Sequence, residues 1–492
     1  MQKTLRSIPS LGVNLASCII LLIMCWSIFQ QQDLAFSPFI IFGICTFIIF
    51  IYALVFLTRN ISTKKYVYTI SIVYLLISII IIKLVPSSPI SDFQYMLDGA
   101  KELAAGNMKA IKDNQYFFWN TTQLGFTIYE ALVLTLTSHS YFALQFLNIV
   151  YTLLTGLAIF YIAKHRLNNE TFGRFGFILY VTSINLFLLV PVLTNQHLSM
   201  MLFSWGTYHL LARDENKNYI NMVFGGLLFA LGNIIYPIGI LFLIAAGLFL
   251  LFFHSNILKR NFISSITFIS TYLVILYTLA YIPVMLNISH NPITNADSGW
   301  KFVIGLNKES NGQYSLEDFA KLRQSIVDFD IEEHNRIQKQ LIKERTENLT
   351  DLIPLMNKKN IIMWGSPTDS YAYIPINDIA RNTINDVSFI KLDFIHYVSI
   401  MLLSMGSVFI FLFSSPFKNL NMKYFQILII GAFLIYLVTE VQIRYRYFFF
   451  PIFIILAAFT LQYIMNLSLF KMNLSLFKMN KAQAGSTAST DS

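Results

Sequence analysis

Twelve apolar runs, each close to the ~20 residues an α-helix needs to cross a hydrocarbon core, leave this chain few folds to choose from. They lie near residues 11–29, 36–57, 66–85, 140–163, 172–190, 194–212, 219–236, 237–253, 262–286, 393–413, 424–439 and 447–465. Only 12% of the 492 residues are charged, where a soluble protein carries about a quarter. The expectation is an all-α polytopic membrane protein with about twelve transmembrane helices. The closely spaced pair of runs meeting at "NIIYPIG" is also compatible with one broken helix.

The net charge of +9 does not point to nucleic acid, because the lysines and arginines fall in short loops between apolar runs. Lys3, Arg6, "RNISTKK", "KHR", "ARDENK", "LKR", "FKNLNMK" and the tail residues Lys471, Lys478 and Lys481 share one side if the spans alternate. The positive-inside rule makes that side cytoplasmic, so both termini are expected inside a cell membrane. Cys18, Cys25 and Cys45 all sit in the first two runs, which excludes a disulfide framework and a CxxC metal site. The basic, apolar start resembles a signal peptide. Its continuation "WSIFQQQD" offers no small-x-small cleavage site, and an uncleaved first span is expected.

Two long polar segments fall together on the opposite, external face. The resulting division is an N-terminal helix pair (1–65), a membrane core (66–286) with a first external loop (86–139), an external subdomain (287–392), C-terminal spans (393–466) and a cytoplasmic tail (467–492). In the first loop Phe93, Met96, Leu97, Ala100, Leu103 and Ala104 recur at helical spacing, which predicts an amphipathic helix starting at Asp92. Asp92 there serves either as a helix cap or as a functional carboxylate; Asp98 is expected in solvent. The following "FFWNTTQLGFTIYEALVLTL", with Gln123, Tyr129 and Glu130, fits a re-entrant or second interfacial helix. In the large loop Ser315 before Asp318 reads as a helix start. The tail repeats "MNLSLFK" in tandem, read as a duplication, and ends in a stretch of disordered composition.

The last external loop reads "TEVQIRYRYFFFP". Glu440, Arg444 and Arg446 are interleaved with tyrosines beside long apolar runs. Arginine and tyrosine often anchor span ends, but two arginines on the outer side oppose the positive-inside trend, and that favours function. Guanidinium stays charged and binds phosphate oxygens in pairs, so Arg444 and Arg446 suit a phosphate group. On a helical turn Glu440 would orient Arg444 four residues on. Gln442 and Tyr445 are further candidate hydrogen-bond donors in this stretch.

Asp92 after a membrane exit, Tyr95 three residues on, "AKELAAG", "SGWKFVIGLNKESNGQYSLED", "NKKNIIMWGSP" and the final "EVQIRYRYFFFP" resemble the GT-C glycosyltransferases. The nearest branch is the family 39-like, protein-mannosyltransferase-related group of Gram-positive bacteria, over about residues 66–465. The resemblance implies transfer of a sugar from a polyprenyl-phosphate-linked donor to an external acceptor: a cell-wall polymer, a glycolipid or a protein. It also implies inversion, with Asp92 as general base and Tyr95, Glu440, Gln442, Arg444, Tyr445 and Arg446 around the substrates. The paired acidic residues that open this loop in some relatives are missing here, so no metal and no cofactor is expected. Two rivals remain: a lipid-linked saccharide flippase or transporter, and a polysaccharide polymerase or ligase. No GxxxxGK[ST], HExxH or GxSxG pattern is present.

Overall fold

The computed structural model describes residues 2–30, 37–84, 87–213, 218–255, 257–295, 297–366, 387–413 and 420–487. These residues form helices and connecting turns, with no strand among them. Every one of the twelve apolar runs holds helix. Seven helices are long and apolar enough to cross a membrane: Ile8–Phe29, Pro38–Leu57, Thr63–Leu84, Tyr141–Arg166, Leu258–Met285, Ile390–Phe413 and Phe450–Leu469. Tyr219–Ile235, Gly239–Phe252 and Met422–Val438 are shorter apolar helices. The runs at 172–190 and 194–212 are interrupted, giving Glu170–Val181, Ile184–Leu189 and Gln196–Leu210. The chain is a multi-pass membrane protein.

The interruption after Leu189 frees backbone carbonyls deep in the bundle, where each needs a partner. One face of the Tyr141–Tyr161 helix supplies most of them. Gln145 Nε2 donates to Pro191 O at 2.9 Å, and Asn148 Nδ2 donates to Val190 O and Val192 O. His197 Nε2 donates to Leu189 O at 3.1 Å. A carbonyl can only accept, so Nδ1 is left to accept from Thr152 Oγ1 or Tyr447 O–H. His197 thus has a structural role, tying the interrupted segment to its neighbours.

The first loop begins as predicted. The Asp92–Ala104 helix buries Phe93, Met96, Leu97 and Ala100 and leaves Asp98 in solvent, bonded to Gln94 and Lys101. Beneath it lies the Leu124–Leu136 helix, at 13 residues too short for the ~30 Å hydrocarbon layer. In the large loop Ser315 does cap a helix, accepting from Asp318 N at 3.2 Å. The helical stretch then breaks into Leu316–Val327 and Ile331–Thr346, because Phe329 turns left-handed (φ 55°) and Asp330 caps a new start. Part of this loop, 367–386, lies outside the described residues. The tail is helical through both heptads to Thr487 rather than irregular from Ala482; 488–492 lie outside the described residues.

The large loop docks on the last polar turn through backbone. Glu440 N donates to Lys301 O at 2.8 Å and Val441 N to Gly312 O at 2.9 Å. The approach requires glycine at 305, where a Cβ would come within 2.3 Å of the Thr439 backbone.

Candidate active site

Four separate pieces of chain meet at one place: the start of the Asp92–Ala104 helix, Tyr116 of the Gln115–Trp119 helix, the Ser298–Gly305 helix with Tyr314, and residues 440–447.

Asp92 is the first helical residue rather than the cap. The flanking position belongs to Ser91, whose side chain caps nothing and whose backbone sits at φ 54°, ψ −133°. Such a conformation costs on the order of 1–3 kcal/mol for a residue with a side chain and clusters at functional sites. Asp92 as a residue is half-buried. Burial pushes the Tyr116 hydroxyl far above the usual phenol range, and the charge of Asp92 pushes it further, while Arg444 pulls it back. Tyr116 therefore faces both the carboxylate of the first loop and a guanidinium of the last. Tyr95 is exposed and stacks on Tyr116, with ring centroids 4.6 Å apart. Tyr314 from the large loop feels both Asp92 and Glu440, which, with burial, raise its phenol.

Arg444 lies over the Phe93 ring at 5.3 Å and the Tyr445 ring at 5.8 Å. Its carbonyl accepts from Gln196 Nε2 at 3.1 Å, which ties the turn to the broken membrane helix. Arg446 goes elsewhere. It is 4% exposed, donates to Ser366 O at 2.8 Å and lies over the Tyr397 ring at 4.3 Å. The cause is local geometry. Ile443–Phe448 is a 3₁₀ turn, and with three residues per turn two positions apart point about 120° away from each other. The two arginines therefore have different surroundings: Arg444 lies beside Phe93, next to Asp92, and Arg446 against Tyr397 and Ser366 O.

The expected Glu440–Arg444 pairing also changes. Gln442 is extended (φ −138°, ψ 140°), so Glu440 lies before the turn and not on it. Its carboxylate is 2% exposed and takes the ammonium of Lys301, whose side chain is half-exposed. Gln442 Nε2 and Tyr445 O–H also donate to it, at 2.7 and 2.8 Å. Burial alone would raise the Glu440 pKa; the Lys301 ammonium and these donors hold it below the usual carboxylate range. Burial likewise opposes the charge on Lys301, and Tyr445 and Glu440 overcome it, raising its pKa. Lys301 also bonds Tyr445 O–H at 3.1 Å and sits 5.5 Å from that ring's centroid. Tyr445 thus has a cation of the large loop and a cation of the turn against one ring. Gln442 and Tyr445 serve here to hold Glu440.

The structure brings together Asp92, Tyr95, Arg444, Glu440, Gln442 and Tyr445, and adds Lys301, Tyr116 and Tyr314. Lys301 carries a faint sequence signal as a cation between Trp300 and Phe302; Tyr116 and Tyr314 carry none beyond their aromatic neighbours. Beside this site the Tyr236 ring packs at a tilt against Phe448, with centroids 4.5 Å apart. Trp300 packs edge-on against Tyr314 at 6.3 Å.

Residues 126–284 match the family model described as dolichyl-phosphate-mannose-protein mannosyltransferase. With the all-helical membrane fold, the match supports a membrane glycosyltransferase of the GT-C type. It covers neither Asp92 nor Glu440–Arg446. No curated protein and no solved structure matches the chain.

Proposed function

We propose that this chain transfers a sugar, with inversion, from a polyprenyl-phosphate-linked donor to an acceptor hydroxyl on the external face of the membrane. The observation that carries the reading is that Arg444, from the other end of the chain, lies 5.3 Å over the ring of Phe93, the residue next to Asp92, so that both charges act on Tyr116. A base and a phosphate-binding cation at one place are what this reaction needs.

The acceptor oxygen attacks the anomeric carbon as the Asp92 carboxylate takes its proton. The bond from that carbon to the phosphate oxygen breaks, and the electron pair leaves on the phosphate. Arg444 meets the growing negative charge with a planar pair of N–H groups. In a partly dehydrated site one such donor contributes a few kcal/mol to the transition state. Tyr95 and Tyr314 offer aromatic faces beside Asp92 for the sugar or the acceptor. The external placement rests on the charge of the short loops, which puts residues 86–139 and 287–392 on the face opposite the basic one.

The experiment is a single turnover with purified protein, a radiolabelled polyprenyl-phosphate mannose and membranes from a strain lacking the protein. Label should leave the lipid carrier for another fraction. If it crosses the bilayer still attached to its lipid, the protein is a flippase. A cysteine at Gln313 should react with an impermeant thiol reagent on intact cells and one at Ser486 should not; the reverse result would remove the external site.

A further inference from the structure

Lys359 lies on the Leu352–Asn360 helix, only 1% exposed. Among the described residues no carboxylate is a hydrogen-bond partner of its ammonium. Its ammonium donates to Gly305 O at 2.7 Å and Leu437 O at 2.8 Å. Gly305 ends the Ser298–Gly305 helix, which carries Lys301, and Leu437 lies in the last turn of the Met422–Val438 helix, which leads directly into Glu440. Carbonyls at helix C-termini lack intrahelical donors and carry the negative end of the helix dipole, so a cation there is favoured. The Lys359 stem runs under Gly312, where a Cβ would come within 2.8–3.0 Å of it. Gly312 needs its left-handed backbone (φ 76°) and accepts from Val441 N. One side chain thus touches all three segments of the joint. Burial pushes its pKa down to about 7.

We propose that Lys359 is a positioning residue for the donor site: it fixes the ends of two helices and thereby sets where Lys301 and Glu440 meet. The role rests on the reading of Lys301 and Glu440 as part of that site. Lys359 touches no substrate. Without its ammonium both carbonyls lose this donor, and the large loop is held to residues 440–445 by its two backbone bonds to Glu440 and Val441 and by the Lys301 side chain.

The test is amide exchange across residues 437–442 in the intact protein, wild type against Lys359→Met and Lys359→Arg. The Glu440 and Val441 amides should exchange roughly tenfold faster in Lys359→Met, as expected when a joint loses about one net hydrogen bond. Lys359→Arg, which still donates to two carbonyls, should recover most of the protection. In the transfer assay Lys359→Met should raise the KM for the labelled donor more than it lowers kcat, and should be non-additive with Lys301→Met. Unchanged exchange at Glu440 and Val441, or strict additivity with Lys301→Met, would overturn the role. If Lys359→Met fails to insert, the exchange and KM of Lys359→Arg decide alone: a donor KM and exchange rate equal to wild type support the role, and generally lowered heat stability with poor exchange protection throughout the chain overturns it. Absence of transfer by the wild type would sink the enzymatic reading and leave the exchange result standing.

Discussion

Lys301 and Glu440 are bonded twice: the Lys301 carbonyl accepts from the Glu440 amide at 2.8 Å, and the Lys301 ammonium sits on the Glu440 carboxylate. They are 139 residues apart, so the large loop and the last polar turn form one unit at this point. The buried half of the pair is the acid, held ionised by its three donors.

Glu440→Gln keeps the shape and the Tyr445 bond but loses the charge. Its expected cost is on the order of 1–3 kcal/mol, the range for hydrogen bonds to charged groups, and toward the lower end because Lys301 is half-exposed. The folded pKa is depressed, so the wild-type contribution is complete above the ordinary carboxylate value and disappears as pH falls through the lower, folded value. Thermal unfolding in detergent should show the gap between wild type and Glu440→Gln at pH 7 closing on acidification. A gap that persists at pH 3 contradicts the pairing.

The two arginines should fail in different ways. Arg444→Lys keeps the charge and loses the planar fork, so it should raise the donor KM with little effect on heat stability. Arg446→Lys loses the fit to Ser366 O and the Tyr397 face; it should lower stability and leave the donor KM of the surviving protein near wild type. Identical behaviour of the two variants would mean that both reach the donor.

Glu130 is fully buried under the Asp92–Ala104 helix, and among the described residues neither of its oxygens has a hydrogen-bond partner. Burial pushes its carboxyl well above the usual range, with Lys101 the opposing charge; Tyr129 and Tyr141 also face it. The unfolded chain ionises this acid above its ordinary value while the folded one does not, so its burial costs more as pH rises. Glu130→Gln should therefore be more stable than wild type at pH 8, and the gain should shrink toward pH 5. A loss of stability at pH 8 would show that the carboxylate is charged and paired.

Much of this was legible before the fold. The 3.6-residue spacing of Phe93, Met96, Leu97 and Ala100 fixes the helix that presents Asp92, and Ser315 announces its own helix. A 3₁₀ turn at 443–448 is not legible, since "IRYRYF" suits an α-turn or a span end equally well. That one local choice decides that Arg444 and Arg446 diverge, while the extended Gln442 before it leaves Glu440 to Lys301. The Lys301 and Lys359 contacts are invisible for another reason. They are long-range, and Lys359 bonds backbone carbonyls, which carry no residue identity.

Transfer by Asp92→Asn decides whether this carboxylate is the base. Asparagine keeps the size and, at the first helical position, gives up only the favourable charge at the helix N-terminus, about 0.3–1 kcal/mol, but it cannot take a proton from the acceptor. Loss of a positioned base slows such a step by about 10²–10⁴-fold. The purified variant should match wild type in heat stability and in binding the labelled donor lipid, and its single-turnover rate should fall by that factor. An Asp92→Asn protein that transfers sugar at the wild-type rate would contradict the account.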